Sequence, residues 1–468
     1  MCDASALLPG REALVQALKN LHEGPLVLPQ VLQLGVSAVP LLESVLRGPS
    51  GAIHHARCLA ADGLGAIHDP ESTAALVRAL ADSVARELDP ISLEAESVIV
   101  NCIAEHLSRR PGPQITQALL DALSVRAYPQ CAMAFAHRCD MRAVPLLVRC
   151  LNDDAARPAA LYALRRYGRA ACPALMRLLL EPPLSNATEA PSHIDARAAA
   201  AYLLGESADA SLPPARARLA LRAALDDGQR AVRLEAALAL AQQPSEAGQA
   251  AGAVLLDALD EPNWARAESN MQALVRLGPQ VAPLLCKAIT APARDGNARL
   301  RRLRAVTVAG RLRASSAVPA LASLCYASDR QLRLAAITAL LEIPASGKRS
   351  LERFLSDEDG TVRLRALEGL HQRNVIDASL LAMLLGDPDG AVRRAAQQFL
   401  SEQRSSASVP LRRIIRTFGS PQEGLRDRAR LWWRACAWLV TSGYGASHPG
   451  ASAPSASLSS TAAPKIRR

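Results

Sequence analysis

The side chains best suited to chemistry lie near the beginning of the chain. His54, Cys58 and Asp62 recur every four positions, so they share one face of a helix, with His55 and His68 nearby. Imidazole, thiolate and carboxylate groups are ligands for zinc. Because a helix rises about 6 Å over four residues, the outer two side chains would sit about 12 Å apart. One helix cannot bring all three to one ion, so the sequence predicts no metal and no other cofactor.

Motifs of nucleotide chemistry and of hydrolysis are absent from the sequence. It has no glycine-rich phosphate loop, no G-x-S-x-G elbow and no H-E-x-x-H pair. Ser, His and Asp residues lack the spacing that would indicate a catalytic triad. We therefore expect a protein without a catalytic centre, and we keep an enzyme as the alternative.

The elements that position these residues follow an internal repeat. A helix start with an apolar residue followed by Arg, then Ala and Leu at four-residue steps, recurs at Val232, Leu332, Val362 and Val392, the last three 30 residues apart. Acidic turns precede several of these starts and supply N-caps. The arginines of this motif predict a ladder of hydrogen bonds between repeats, and they are Arg233, Arg333, Arg363 and Arg393.

A second signature predicts a partner helix in each repeat. Proline near the start of an apolar run fits a first helical turn, where its missing N–H has no intrahelical acceptor. These starts are Val39-Pro40, Val144-Pro145, Cys172-Pro173, Ala282-Pro283, Val318-Pro319 and Val409-Pro410. Glycines between first and second helices predict left-handed C-caps, at Gly65, Gly168, Gly205 and Gly278.

Together these signatures give a helix pair roughly every 30–35 residues, about twelve times in all, which must stack to bury its apolar faces. Segments such as 360–370 (GTVRLRALEGL) and 316–321 (SAVPAL) resemble HEAT repeats, specifically the short HEAT-like repeats first associated with phycobilisome lyases. The resemblance implies an all-α fold, a right-handed HEAT-like α-solenoid of the armadillo type. It also leaves open a bilin-attaching lyase, although no residue can be assigned to that chemistry. Dimetal hydroxylases of similar repeats use several His-Glu dipeptides, whereas this chain has only His22-Glu23.

The resemblance also implies that second helices line the concave surface of the solenoid. A basic residue recurs there, four positions after the proline or its equivalent. Spaced by one helix-packing distance, about 10 Å, such cations suit an extended acidic peptide or a phosphate backbone. The predicted partner-binding residues of this row are Arg78, Arg149, Arg177, Lys287 and Arg353.

The repeat stops near residue 420, and a last helix, residues 421–440, holds three of the four tryptophans. Its apolar face would cap the open end of the core, as every repeat array requires. Trp beside Arg is also typical of a binding hot spot or a membrane-surface anchor. We assign Trp432 to the capping face, and Trp433 and Trp438 to partner binding. The expected domains are a solenoid over 1–420, this helix, and a disordered Ser/Ala/Pro-rich tail over 441–468.

Composition sets the expected class of partner. Arginine makes up fifty of the 54 basic residues, and residues 294–468 carry 28 basic against 14 acidic residues, a net charge of +14. Such a field attracts acidic partners, so a nucleic acid is a further alternative. The scattered cysteines indicate free thiols in a reducing compartment, and no apolar run is long enough to span a membrane. We expect a cytoplasmic, non-enzymatic scaffold that binds a protein partner, acidic in character, through the concave face.

Truncating Trp432 tests the capping assignment. If the side chain is fully buried, Trp432→Ala should destabilise the C-terminal repeats by about 3–5 kcal/mol, since it leaves a large cavity. The same change at Trp438, about 240° further around the helix, should mainly reduce binding. Denaturation curves and binding assays on both variants decide the matter. Equal losses of stability would show that both side chains serve the cap.

Overall fold

A computed structural model describes residues 11–48, 54–181, 190–206, 215–242, 248–292 and 295–404, and all regular elements within these ranges are helices. The α-helices are α1 (Arg11–Lys19), α2 (Gly24–Leu32), α3 (Val39–Leu46), α4 (His54–Ala66), α5 (Pro70–Val84), α6 (Pro90–Ser108), α7 (Pro113–Val125), α8 (Pro129–Arg138), α9 (Ala143–Cys150), α10 (Arg157–Tyr167), α11 (Cys172–Leu179), α12 (Pro191–Glu206), α13 (Ala215–Ala223), α14 (Arg230–Ala241), α15 (Gly248–Asp257), α16 (Trp264–Leu277), α17 (Ala282–Thr290), α18 (Gly296–Arg311), α19 (Val318–Ser323), α20 (Arg330–Glu342), α21 (Lys348–Glu352), α22 (Gly360–Gln372), α23 (Ala378–Leu384) and α24 (Gly390–Arg404). The predicted all-α class is confirmed. No helix in these ranges is long and apolar enough to cross a bilayer.

The chain divides into two compact units, residues 1–308 and 309–468, and each stacks its helices in two layers. In the first unit, the A layer runs through α4, α6, α8, α10, α12, α14 and α16, each packed on the next. The B layer runs through α3, α5, α7, α9, α11 and α13, and α15 packs on α17. In the second unit, α20, α22 and α24 form the A layer, with α19, α21 and α23 against them. This stacking of helix pairs confirms the HEAT-like fold, whereas the number of pairs stays a prediction.

The proline signature marks the starts of the B-layer helices correctly. Helices α3, α11, α17 and α19 each begin one residue before the expected proline, at Val39, Cys172, Ala282 and Val318. Helix α9 begins two residues before its proline. The start expected at Val409 lies outside the described residues. Because proline at the first turn removes no intrahelical hydrogen bond, these starts follow from local chemistry alone.

Two of the four predicted glycine caps are correct and two are wrong. Gly168 and Gly278 end α10 and α16 with positive φ, +51° and +76°, a conformation that favours glycine. Gly65 and Gly205 lie instead inside α4 and α12. A Cβ at Gly205 would meet Ala239 Cβ at 2.6 Å, so this glycine lets α12 approach α14 closely. The sequence pattern cannot separate a glycine that ends a helix from one that lets a neighbour approach.

The repeated apolar positions form the core, as predicted. Val362, Ala366 and Leu370 of α22 are fully buried, and the equivalent residues of α14, α20 and α24 are buried as well. Alanine and leucine dominate the interior, and Phe135 and Phe354 are its largest fully buried side chains. Small residues let the helices pack closely, which is why a chain with few aromatics can still exclude water.

The arginine ladder joins neighbouring repeats at two of the four expected positions. Arg363 donates to both carboxylate oxygens of Asp387 in the next turn, at 2.9 and 2.7 Å, and to the Asp357 carbonyl of its own turn, at 2.7 Å. Arg333 contacts Asp357 in the same way. Arg233 and Arg393 donate to the carbonyls of their own turns, and no carboxylate of a following repeat contacts them within the described ranges.

A second group of arginines caps the ends of A-layer helices, which sequence reasoning missed. Arg110, after α6, donates to the carbonyls of Leu64 and Gly65 at the end of α4, at 2.7 and 2.9 Å. Arg373, after α22, donates in the same way to Leu340 and Leu341 of α20. Burial lowers the pKa of both guanidinium groups. Each arginine supplies donors to carbonyls that a helix end leaves without partners.

Removing the carboxylate of Asp387 tests the ladder. Asp387→Ala leaves Arg363 buried without its counter-ion, so we expect the second unit to lose about 3–5 kcal/mol of stability. Hydrogen exchange of α22 and α24 under native conditions measures the loss locally. The control is Glu368→Ala, which removes the exposed partner of Arg365 and should cost less than about 1 kcal/mol. Equal costs would show that the ladder does not stabilise the stack.

Candidate functional site

Arg78, the first member of the predicted cation row, forms ion pairs with neighbouring carboxylates. Arg78 on α5 pairs with Glu43 of α3 at 2.8 Å and with Glu71 of its own helix at 3.1 Å. The hydrogen bond from Arg78 lowers the pKa of Glu43, against a smaller opposing effect of burial. Arg78 therefore ties α5 to α3 and presents little uncompensated charge.

The second member of the row is used inside the B layer. Arg149 on α9 donates to the carbonyls of Leu123 and Ser124, the latter at 2.7 Å, near the end of α7. Its guanidinium serves the same purpose as those of Arg110 and Arg373 in the A layer. Arg149 is exposed, and one guanidinium nitrogen, Nη2, donates to both carbonyls.

The other row members are exposed. Arg177 on α11 and Lys287 on α17 make no side-chain hydrogen bond or ion pair with the described residues. Arg353 lies in the second unit, where its charge opposes the effect of burial on the pKa of Cys325. Trp433 and Trp438 lie outside the described residues. Within the described part of the first unit, Arg177 and Lys287 are thus the row members without a charged or hydrogen-bonded partner.

A surface cleft of about 700 Å³ lies between α12, α14 and α16 of the A layer. Its lining includes Tyr202 from α12, Arg230 and Glu235 from α14, and Arg266 and Ser269 from α16. Three successive A-layer helices thus contribute to one depression. Tyr202 is 39% exposed, and burial together with the nearby Glu206 of the same helix raises the pKa of its hydroxyl.

Glu235 is a carboxyl group in this cleft whose pKa is shifted by its surroundings. Burial raises the pKa of Glu235, and the positive charge of Arg266 partly offsets that effect. Arg230 does not neutralise Glu235, because it pairs with Asp260 at 2.6 Å. A carboxyl with a raised pKa, next to an exposed arginine, is a common feature of binding sites.

The charges that line the cleft are balanced. Three carboxylates face three guanidinium groups, and they are Asp195, Glu235, Glu261, Arg230, Arg266 and Arg276. Gln242 and Ser269 add exposed groups that can donate and accept hydrogen bonds. The cleft therefore offers an aromatic surface with mixed polar groups and no excess of either charge.

Sequence reasoning missed this cleft because its residues come from the solvent-facing positions of three different repeats. A depression between helices depends on their spacing, which no single-helix pattern records. One signal was available. Tyr202 is one of only fourteen aromatic residues in the chain, and it lies on the outer face of a helix whose buried face is alanine and leucine.

The sequence spacing puts His54, Cys58 and Asp62 on one helix as candidate metal ligands, whereas the structure groups Asp62 with residues of a second helix. Asp62 of α4 lies next to Cys102 and His106 of α6, so the ligand-type atoms come from two neighbouring A-layer helices. His54 is not part of this group. Cys102 and His106 were not predicted, because nothing in their spacing to α4 marks them as neighbours.

Comparison with known proteins agrees with the fold. A family model described as PBS lyase HEAT-like repeat matches residues 56–82, which include most of α4 and most of α5. No curated protein matches the chain. The chain is built from HEAT-like helix pairs, as the resemblance in its sequence implied.

Comparison with solved structures finds several to which this chain is similar at low identity. The chain is similar to yeast importin-beta (Kap95p), with 13% identity and a TM-score of 0.44, over 92% of this chain and 67% of that one. It is also similar to Kap121p, with 14% identity and a TM-score of 0.43, over 93% and 57%. An engineered protein gives 17% identity and a TM-score of 0.31, over 86% and 100%. Likenesses at these levels carry no argument about partners or activity.

Neutralising Glu235 tests the electrostatics of the cleft. A raised pKa in the folded state means that folding disfavours the carboxylate, so the stability contributed by Glu235 is present at acidic pH and lost as pH rises through that pKa. Glu235→Gln should therefore be more stable than the parent at neutral pH, and the difference should vanish below pH ~4. Urea unfolding across this pH range measures it. The exposed Glu94→Gln is the control, and parallel curves for both variants would contradict the burial of Glu235.

Proposed function

We propose that this protein is a non-catalytic scaffold that binds an extended segment of a protein partner in the cleft between α12, α14 and α16. The observation that carries the proposal is the cleft itself, which three repeats build together. Its volume, about 700 Å³, lies within the usual range of ligand sites. Because Gln242, Arg266 and Ser269 are exposed, it is open along its length and suits a chain segment better than an enclosed small molecule.

The chemistry of the lining favours a peptide. Tyr202 provides an exposed aromatic surface of the kind that is enriched in protein interfaces. Gln242 and Ser269 can pair with the backbone N–H and C=O groups of an extended chain. Because carboxylates and guanidinium groups are balanced here, the partner segment is expected to carry mixed charge. An acidic partner is better matched to Arg177 and Lys287 on the B layer, which form the second surface in this proposal.

Nucleic acid fits the described basic residues less well. In the second unit, Arg330, Arg333 and Arg363 pair with carboxylates of neighbouring turns, and Arg373 is occupied by backbone carbonyls. These guanidinium groups are engaged within the protein, whereas a phosphate backbone needs accessible cations. Cytoplasmic localisation remains part of the proposal and rests on the free cysteines of the described residues.

Selection of peptides on the purified protein tests the binding surface. Peptides enriched on the parent protein should bind Tyr202→Ala about 30-fold more weakly, since truncating a hot-spot aromatic costs about 2 kcal/mol. Arg266→Ala should also weaken them. The matched control is Tyr162→Ala, an exposed tyrosine on α10 outside the cleft lining, which should bind like the parent.

The B-layer surface is tested in the same assay with the double charge reversal Arg177→Glu and Lys287→Glu. If this variant loses the selected peptides while Tyr202→Ala keeps them, the cleft is not the binding surface and the row of cations is. If neither variant changes binding, both surfaces are excluded.

A further inference from the structure

Helices α4 and α6 bring three metal-ligand side chains, Asp62, Cys102 and His106, to one place on the A layer, and Cys58 lies one helical turn from Asp62. Cys58 and Asp62 lie four residues apart on α4, and Cys102 and His106 lie four residues apart on α6. Residues four apart share one helix face, and these two faces meet because α4 packs on α6. Two such pairs on adjacent helices can surround a single ion, which one helix cannot do.

The distances within this cluster are close to those of a tetrahedral metal site. The Nε2 atom of His106 lies 2.8 Å from Oδ1 of Asp62, and the Sγ atom of Cys102 lies 3.5 Å from the same oxygen. All three ligand atoms lie within 4.8 Å of one another. Zinc bonds of about 2.0 Å to N or O and about 2.3 Å to S place ligand atoms about 3.3–3.5 Å apart. An ion therefore requires only small side-chain movements.

Cys58 lies beside this cluster, although its thiol is outside the group of ligand atoms that all lie within 4.8 Å of one another. The Cys102 Sγ atom lies 3.8 Å from the Cys58 carbonyl oxygen, so the two cysteines are neighbours across α4 and α6, and a rotation of the Cys58 side chain would bring its thiol towards the cluster.

Gly65 supplies a separate sign that the position of His106 matters. A Cβ at Gly65 would meet Nδ1 of His106 at 2.2 Å, so the imidazole occupies the space that any other residue would fill. Glycine inside a helix costs about 1 kcal/mol relative to alanine. At Gly65 the absence of a side chain leaves room for the His106 ring to lie against the backbone of α4.

We propose that Asp62, Cys102 and His106, completed by Cys58, form a binding site for a divalent transition metal of the zinc class. Two thiolates, an imidazole and a carboxylate suit zinc or cobalt and do not suit magnesium or calcium, which prefer oxygen ligands. As each metal–sulfur bond forms, the thiol gives up its proton to solvent. Four protein ligands leave no open position, so the metal would join α4 to α6 as a structural link between repeats.

Cobalt titration of the full-length, untagged protein tests this proposal. After treatment with a chelator and a thiol reductant, the protein should bind one cobalt ion with the charge-transfer absorption of cobalt–thiolate bonds, and zinc should displace it. The zinc-loaded protein should melt at a higher temperature than the metal-free protein, because the metal binds only the folded state.

Variants assign the ligands. Cys102→Ser and His106→Ala should abolish the cobalt–thiolate spectrum, and Cys58→Ser should weaken cobalt binding at least tenfold. Gly65→Ala removes no ligand, yet it should also weaken binding, since it displaces the His106 ring. The control is Cys139→Ser, an exposed thiol after α8, which should leave the spectrum unchanged. Circular dichroism confirms that each variant is folded.

Two results would overturn the proposal. One is the absence of a cobalt–thiolate spectrum in the reduced parent protein, especially if Cys58 and Cys102 form a disulfide in air, which would make them a redox pair. The other is a spectrum that persists in folded Cys102→Ser, since the metal would then be held elsewhere. Equal affinity of Cys58→Ser and the parent would overturn the assignment of Cys58 as fourth ligand.

Discussion

Every helix in this array ends after a few turns, and each end leaves backbone N–H and C=O groups that must find partners while the next repeat packs over them. Arginine guanidinium groups donate hydrogen bonds to several of these carbonyl groups. Arg110 and Arg373 each reach carbonyls at the end of the preceding A-layer helix, and Arg363 links its own turn to the aspartate of the following one. These contacts stabilise the stack, because burying a backbone carbonyl without a hydrogen-bond donor carries a free-energy penalty that opposes the gain from apolar packing.

The need for several hydrogen-bond donors at each helix end offers a reason why the basic residues are almost all arginine. A guanidinium presents five N–H donors in a plane, so Arg363 can hold a carboxylate and two carbonyls together. A lysine ammonium in the same place would have three donors, strong hydration and a readily shifted pKa. Arginine usage that looks like a property of the surface is therefore, in part, a property of the turns between repeats.

Close packing of the A layer has a second consequence, which links the fold to both candidate sites. Gly205 lets α12 approach α14, next to the cleft that α16 completes. Gly65 lets His106 of α6 lie against α4, next to Asp62. In both places a glycine predicted to end a helix instead removes the Cβ that would keep two helices apart.

The sequence predicts features that depend on one helix or one turn, and it misses those that depend on two. The proline starts and the buried positions of α22 follow from spacing along the chain. The partnership of Asp62 with His106 does not, because the two residues are 44 positions apart, well beyond the repeat length of roughly 30–35. Helices α5 and α6 have 15 and 19 residues, so the repeat is longer here than the predicted period. A period of roughly 30–35 residues therefore does not pair Asp62 with His106.

Recurrence is also a poor guide to what a repeated cation contacts. Arg78 and Arg177 were placed in one row by the same rule, and both are exposed, yet Arg78 is paired with Glu43 of the neighbouring helix while Arg177 has no ion pair with the described residues. In a repeat protein, each residue faces both solvent and the next repeat, and periodicity cannot tell which of the two it serves. Long-range attraction counts every charge in the chain, but a contact surface consists only of side chains that the array does not already use. The binding surface of such a protein is thus made of the side chains that are not already bonded to its own helix ends and neighbouring repeats.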